Sequence, residues 1–507
     1  MSLRIGVIGG GISGLSSAAA LVQSGIPCQV IVWEAGERIG GLLQTDEEDG
    51  CLIERSADMF TTKLPYAVDL CRLIGYEQDL IPTNQKQRGA RLVTPGGLEP
   101  IPTGFSLMVP KQLGPLLRSN ILSPMGKLRV LLEPVSATFR RRFRTGNEPD
   151  ESLHDFAVRH WGNELFQRII QPLVAGIYTA DPRRLSMKAA LPEFVEMEQK
   201  YGRLLAVGKE NRKASEADGD FQDSLSAAGK NESEARTATG ARYGLFLTPR
   251  QGMQHWVRAI GTWLESHNVE IRTNQTVGQI KNEEHLWKVQ TGDGNETIVD
   301  ALIVATPVQQ AAKLLSNCVG SSAGSLTSDL ASQLEQLESA SAAIVVATIP
   351  RSQLPDHGEK LGFGLVVPDY LNRPMIACSF SSNKFPGRVP ADQLLVRCFF
   401  GGALHPEYLQ LPDSELIELA QSELRSLLNT SEITLERGQV VRWNQAMPQY
   451  HVEHLNRVEA IESKVAGIPG LAIAGNAYRG VGIPQCIRSG FQAAEKVLAD
   501  CKANSEN

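Results

Sequence analysis

The chain has 507 residues, too many for one ordinary core, so two or three domains are expected. Hydrophobic residues make up 42% and charged residues 21%, the proportions of a globular protein in water, and no run reaches the roughly 18 apolar residues of a membrane-spanning helix. A net charge of −6 without a basic stripe argues against a nucleic-acid partner, and eight scattered cysteines with no CxxC argue against a disulfide framework or a thiolate metal site and for a reducing compartment.

Leu3 to Ile8 reads as a buried strand, followed by the turn GGGISG and an Ala-rich helix that stops at Gly25. CQVIVWEA is a second strand ending at Glu34, which makes a βαβ unit. No charged segment with a following apolar run opens the chain, so no signal peptide is expected. From about Leu80 to Tyr201 the pattern reads as helical, broken by prolines. Within it, Gly104 to Leu117 is apolar enough to face either lipid or the core, and the core is the expectation. Residues 207–242 have almost no large aliphatic side chains and read as a mobile surface loop. Short strands follow from Val269, the last of them ALIVATP, then an antiparallel set in SAAIVVATIP, GFGLVVP, PMIACSFSS and LLVRCFFGG. PGLAIAGN is one more buried strand, and a helix from about Pro484 closes the chain. His451 and His454 are three apart, yet no Cys or acidic cluster supports them as metal ligands, so no metal is expected.

Gly9, Gly11 and Gly14 fit GxGxxG between a strand and a helix, with Glu34 twenty residues beyond Gly14. The first glycine allows the tight turn, the second lets a pyrophosphate approach the backbone, and the third lets helix and strand pack closely. Free N–H groups of the helix N-terminus then face the phosphates. An acidic Glu34 can accept both ribose hydroxyls of an adenosine and disfavours a 2′-phosphate, which points to FAD or NAD over NADP. A second glycine-rich turn, GNAYRGVG at Gly475 to Gly482, precedes the final helix. Pro484 suits the first turn of that helix, whose N-terminus would face the other end of the same cofactor.

The motif GGGxxGL followed by E-x-x-x-R-x-GG, here Glu34, Arg38, Gly40 and Gly41, resembles the FAD-dependent amine oxidase superfamily. QPLVAGIYTADPRRLSM, RWNQAMPQYHVEH and GVGIPQCIRSG are similar to its porphyrinogen oxidases, from Ile5 to about Leu498. The resemblance implies α/β and α+β architecture. An FAD-binding domain would be built from residues 1–80, 245–310 and 440–507, a substrate domain with an antiparallel sheet from 81–102 and 311–439, and a helical domain from 103–205. It implies FAD as cofactor and six-electron oxidation of protoporphyrinogen IX to protoporphyrin IX, with oxygen as acceptor and hydrogen peroxide released. Coproporphyrinogen III is the alternative substrate, and an amine or carotenoid oxidase or a flavin-free prenyl-protein binding relative are further ones. A cytoplasmic enzyme is expected, soluble or peripheral on the inner membrane, monomer or homodimer.

Carried over by motif, the cofactor set is Gly9, Gly10, Gly11, Ile12, Ser13, Gly14, Glu34, Ala35, Arg38, Gly41 and Leu42 at the nucleotide end. The resemblance places the second glycine pair near the flavin end. It places Ser56, Ala57, Asp58 and Met59 beside the ring, with Ser56 where the family usually has Gly, which puts the local backbone in question. Val277 matches a contact to the adenine, Trp443 a residue near the cofactor, and Gly475, Val481, Gly482 and Ile483 the segment under the ring system. For substrate, Arg91 matches an arginine that pairs with a propionate, and Val366 and Phe399 match residues that sandwich the tetrapyrrole. Asp58, the one ionisable group in its stretch, is the candidate catalytic base, with an orienting hydrogen bond as the alternative role. Arg373, Lys384 and Arg388 supply cations that extra propionates would favour, but their location is not legible.

Overall fold

The computed structural model describes residues 3–84, 86–87, 89–135, 149–205, 245–283, 286–318 and 324–506. The stretch 207–242, expected as a surface loop, lies outside the described residues. The N-terminal strand Leu3–Ile8 is the centre of a five-stranded, all-parallel sheet. Its neighbours are Cys28–Trp33 and then Glu270–Arg272 on one side, Ala301–Val304 and then Leu471–Ile473 on the other. Burial on both faces explains why these strands are continuous apolar runs. One face carries the helices Ile12–Gln23, Met253–Ser266 and Ile483–Glu506, around Leu15, Trp256, Ile260, Ile487 and Val497. The other carries a small antiparallel sheet, Val277–Glu283, Leu286–Thr291 and Glu296–Val299, with the helices Val308–Ser316 and His454–Ala466.

A second sheet has seven strands in the order Glu436–Pro448, Ser339–Pro350, Gln393–Gly401, Ala377–Phe380, Gly364–Val366, Ala90–Thr94 and Gly97–Pro100. It is antiparallel except where Gly364–Val366 runs parallel to Ala90–Thr94. The expectation of helix from Leu80 onward is therefore corrected: residues 90–100 form a hairpin on this sheet, because RLVT alternates between two buried layers rather than following a helical stripe. The helix Asp413–Leu428 covers one face through Leu416, Ala420 and Leu424. The opposite face meets the hairpin Thr45–Glu48/Cys51–Glu54 and a helical layer that includes Leu153–Trp161, Gln171–Tyr178 and Pro192–Tyr201.

Gly104 to Leu117 contributes Phe105, Met108, Val109 and Leu116 to the core of that helical layer, as expected. The exposed apolar side chains lie just beyond, on the helix Pro124–Leu131 and its continuation: Met125 is 72% and Val135 67% exposed. Among the described residues no helix is long and apolar enough to cross a membrane.

Candidate functional site

The first strand delivers the chain to Gly9, whose φ of +109° only glycine adopts readily. A Cβ there would lie 2.6 Å from the Ala305 carbonyl oxygen, and one at Gly14 would overlap the carbonyl oxygen of Gly9. Gly11 is different. A Cβ on it would meet nothing within 4 Å, and the helix it precedes has no side-chain cap. The space beside Gly11 therefore lies open next to the positive end of a helix dipole, as a pyrophosphate requires.

Glu34 ends the second strand and accepts from the Gly10 N–H at 2.8 Å and the Gly36 N–H at 2.7 Å, so its carboxylate is fixed beside the turn, with Ala35 exposed next to it. The main chain of 274–275 bonds back to Gly36 and Glu34, which brings Val277 to the same end. Arg38 spends its guanidinium on the 39–44 loop, donating to the carbonyls of Ile39, Gly41 and Leu43 and to Gln44 and Gln254. The Gly40 N–H donates to the Gly10 carbonyl at 2.7 Å, and a Cβ at Gly41 would lie 3.2 Å from Gly11 Cα. The second glycine pair thus packs on the first turn.

The stretch Ser56–Met59 is bound to the seven-stranded sheet. Arg397 donates to the Ser56 carbonyl and lies 3.2 Å from Asp58, and Lys384 Nζ lies 3.2 Å from the same carboxylate. Trp443 Nε1 donates to the Arg55 carbonyl at 2.7 Å. Ser56 has no left-handed φ, and its hydroxyl donates to the Leu42 carbonyl, so serine fits where glycine was expected. Ala57 is exposed and Met59 partly so. Burial would raise the pKa of Asp58, but the charges of Lys384 and Arg397 outweigh it and hold the carboxyl at about 2.

The second turn is gripped from outside. Tyr450 is 2% exposed, donates to the Asn476 carbonyl at 2.5 Å and accepts from the Gly480 N–H at 2.8 Å. His454 stacks on Tyr450 at 4.1 Å, its Nε2 2.8 Å from the Tyr478 carbonyl, and burial pushes its pKa down to about 4. The Gly475 N–H donates to Ser489 Oγ at 3.1 Å. Gly482 starts the last helix by accepting from Cys486 N, and Ile483 enters the core of the parallel sheet. Val481 and Val366 pack on the same helical layer. The last helix crosses the first at Gly490, where a Cβ would collide with the Ser13 carbonyl. These contacts bring the two glycine-rich turns, 460 residues apart in sequence, to one region.

Strand register decides the rest. Leu92, Val366, Ala377, Phe399 and Ile344 form one lateral row across the seven-stranded sheet. This row lies on the face opposite the helix Asp413–Leu428. Arg91 pairs with Leu365, in the next row and on the other face, and donates to the Lys360 carbonyl at 3.0 and 2.6 Å. The structure therefore brings Val366 and Phe399 together and leaves Arg91 apart from them, since a one-residue step along a strand reverses the face. Of the unplaced cations, Arg373 pairs with Glu423 on the covering helix, Arg388 with buried Glu54, and Lys384 with Asp58. Arg397 and Tyr450 went unread. A charge inside the apolar run LLVRCFFGG was the one available signal for Arg397.

Comparison with known proteins fits this geometry. Residues 12–498 match the family described as flavin containing amine oxidoreductase. The chain is 28% identical to a coproporphyrinogen III oxidase of Bacillus subtilis, covering 97% of both chains. It is 26% identical to protoporphyrinogen oxidase 2 of Arabidopsis thaliana, covering 98% of this chain and 94% of that one. The crystal structure of a candidate protoporphyrinogen oxidase from Exiguobacterium sp. 255-15 superposes with a TM-score of 0.80 at 25% identity over 99% of both chains. The open turn at Gly11, fixed Glu34 and a family match over nearly the whole length converge: the chain belongs to the flavin-containing amine oxidoreductases, among their porphyrinogen oxidases, and is an FAD-dependent enzyme.

Proposed function

We propose that the enzyme oxidises coproporphyrinogen III to coproporphyrin III, the second of the two substrates the sequence left open, with oxygen as acceptor. The observation that carries this reading is an excess of positive charge beside the apolar row. Among the described residues, Lys384, Arg388 and Arg397 have Glu54 and Asp58 as their only carboxylate partners, with all five side chains between 1% and 12% exposed. An uncompensated buried cation is costly, so the site favours an anionic ligand. Coproporphyrinogen carries four carboxylates, protoporphyrinogen two. The Bacillus relative, named as a coproporphyrinogen III oxidase, supports the same choice.

In this reading FAD lies from Gly9–Gly14 and Glu34 to Ser56–Met59 and Val481–Ile483, within a domain drawn from 1–80, 245–310 and 440–507. The parallel sheet, whose strands come from all three segments, supports that division. Bound there, FAD supplies a hydride acceptor for a carbon of the macrocycle. The chain holds the macrocycle on the Val366–Phe399 row and excludes water with the helical layer. Asp58, ionised and paired with two cations, is too weak a base to take a proton efficiently at neutral pH, so it acts as a hydrogen-bond acceptor that orients a pyrrole N–H. The test is anaerobic addition of each porphyrinogen followed by air, with porphyrin fluorescence corrected for spontaneous oxidation. A higher kcat/KM for coproporphyrinogen is expected; an equal or higher value for protoporphyrinogen overturns the assignment.

A further inference from the structure

One part of the seven-stranded sheet combines buried charge with unsatisfied donors. Ser379 sits directly opposite Arg397 in the strand pairing, on the face that carries Val366 and Phe399. Arg397 is 2% and Ser379 7% exposed, yet among the described residues Arg397 Nε and Ser379 Oγ have no hydrogen-bond partner, and neither does Ser381 Oγ two residues on. Buried donors left unmade cost free energy, so such a group is normally satisfied by something. The ammonium of Lys384, on the short helix Ser381–Lys384, closes the same corner through Asp58.

Spacing gives the corner a use. The Ser379–Arg397 pair is two residues along the strands from the Ala377–Phe399 pair, about 7 Å. An apolar row bordered at that distance by donors and cations matches a flat apolar ring with carboxylates on short arms at its rim. Arg91, on the other face, cannot supply this contact.

We propose that Arg397, Ser379 and Lys384 form the subsite for one rim carboxylate of the tetrapyrrole, the proposal resting on the porphyrinogen reading above. The carboxylate accepts from Arg397 Nε–H and the Ser379 hydroxyl, and Lys384, shared with Asp58, supplies the balancing charge.

The experiment titrates flavin-loaded protein with coproporphyrin III and, in the same detergent buffer, with its uncharged tetramethyl ester, following porphyrin fluorescence. Wild type should bind the tetra-acid more tightly than the ester. Lys384→Met should weaken the tetra-acid about tenfold, by loss of the balancing charge, and Ser379→Ala a few-fold, by loss of one hydrogen-bond donor, with the ester unchanged within about twofold. If Lys384→Met loses flavin, Ser379→Ala, which removes one oxygen atom, carries the test alone. Equal weakening of acid and ester, or no weakening of either, overturns the subsite while the porphyrin reading stands. A wild type that binds neither porphyrin overturns that reading and the subsite with it.

Discussion

The two glycine-rich turns look alike as strings and are held in opposite ways. The turn at Gly9–Gly14 is shaped mainly by the strand and helix that flank it and by the strand end at Ala305, and its free side opens outward at Gly11. The turn at Gly475–Gly482 is held by groups from elsewhere: the hydroxyl of Tyr450, the ring of His454 and, across the helix pair, the first helix itself. A local motif tolerates damage far away, whereas a borrowed conformation does not. Each turn should therefore fail to different insults.

The largest expected effect comes from removing the second turn. A chain ending at Gly470 lacks the strand Leu471–Ile473 and the last helix, and should retain no FAD after gel filtration, measured as the ratio of flavin to protein absorbance. Next is Gly11→Val. With no atom within 4 Å of the added Cβ and an ordinary φ of −71°, the apoprotein should keep its stability within about 0.5 kcal/mol, while FAD affinity falls at least 100-fold in a fluorescence titration. A large loss of apoprotein stability would mean the space at Gly11 serves the fold.

The pH response should single out the second turn. Burial depresses the pKa of His454 from 6.5 to about 4, so the unfolded chain binds more protons between those values. Its contribution, roughly 3 kcal/mol, is full above pH 6.5 and fades as pH falls through 4. Denaturant unfolding from pH 7 to 4 should show this slope, and His454→Gln should flatten it. The smallest effect is expected from Tyr450→Phe, which leaves the stack and removes one hydroxyl from Asn476 and Gly480. Loss of about 1–3 kcal/mol in stability is expected, with a weaker FAD affinity and with Gly11-side contacts intact.

The same contrast explains what could be read in the chain. Gly9, Gly11, Gly14 and Glu34 are legible because strand, turn and helix are contiguous, and the spacing itself encodes the geometry. The apolar strands of both sheets are legible by composition, and the porphyrinogen oxidase motifs led to the family. The face of Arg91 is not, because it depends on the parallel pairing of Ala90–Thr94 with a strand some 270 residues later, and one step of register exchanges the two sides. Arg397 illustrates the converse: its charge stands out in an apolar strand, but its partners, at Ser56 and Asp58, are non-local. The packing of the second glycine pair on the first turn is not legible for a similar reason, since the Gly40–Gly10 hydrogen bond leaves no trace in spacing.

The seat of the final helix on the first has a consequence for synthesis. Gly490 meets Ser13, so the first helix waits for its neighbour until more than 470 further residues have been translated. At roughly 5–20 residues per second, that is a delay of about 25–100 s. Through that interval the nascent N-terminal unit presents an unfilled apolar face, and the order of events is dictated by the ribosome: cofactor loading must follow emergence of the last helix. Supplying FAD early in translation should not hasten maturation, whereas holding that face until the last helix emerges should.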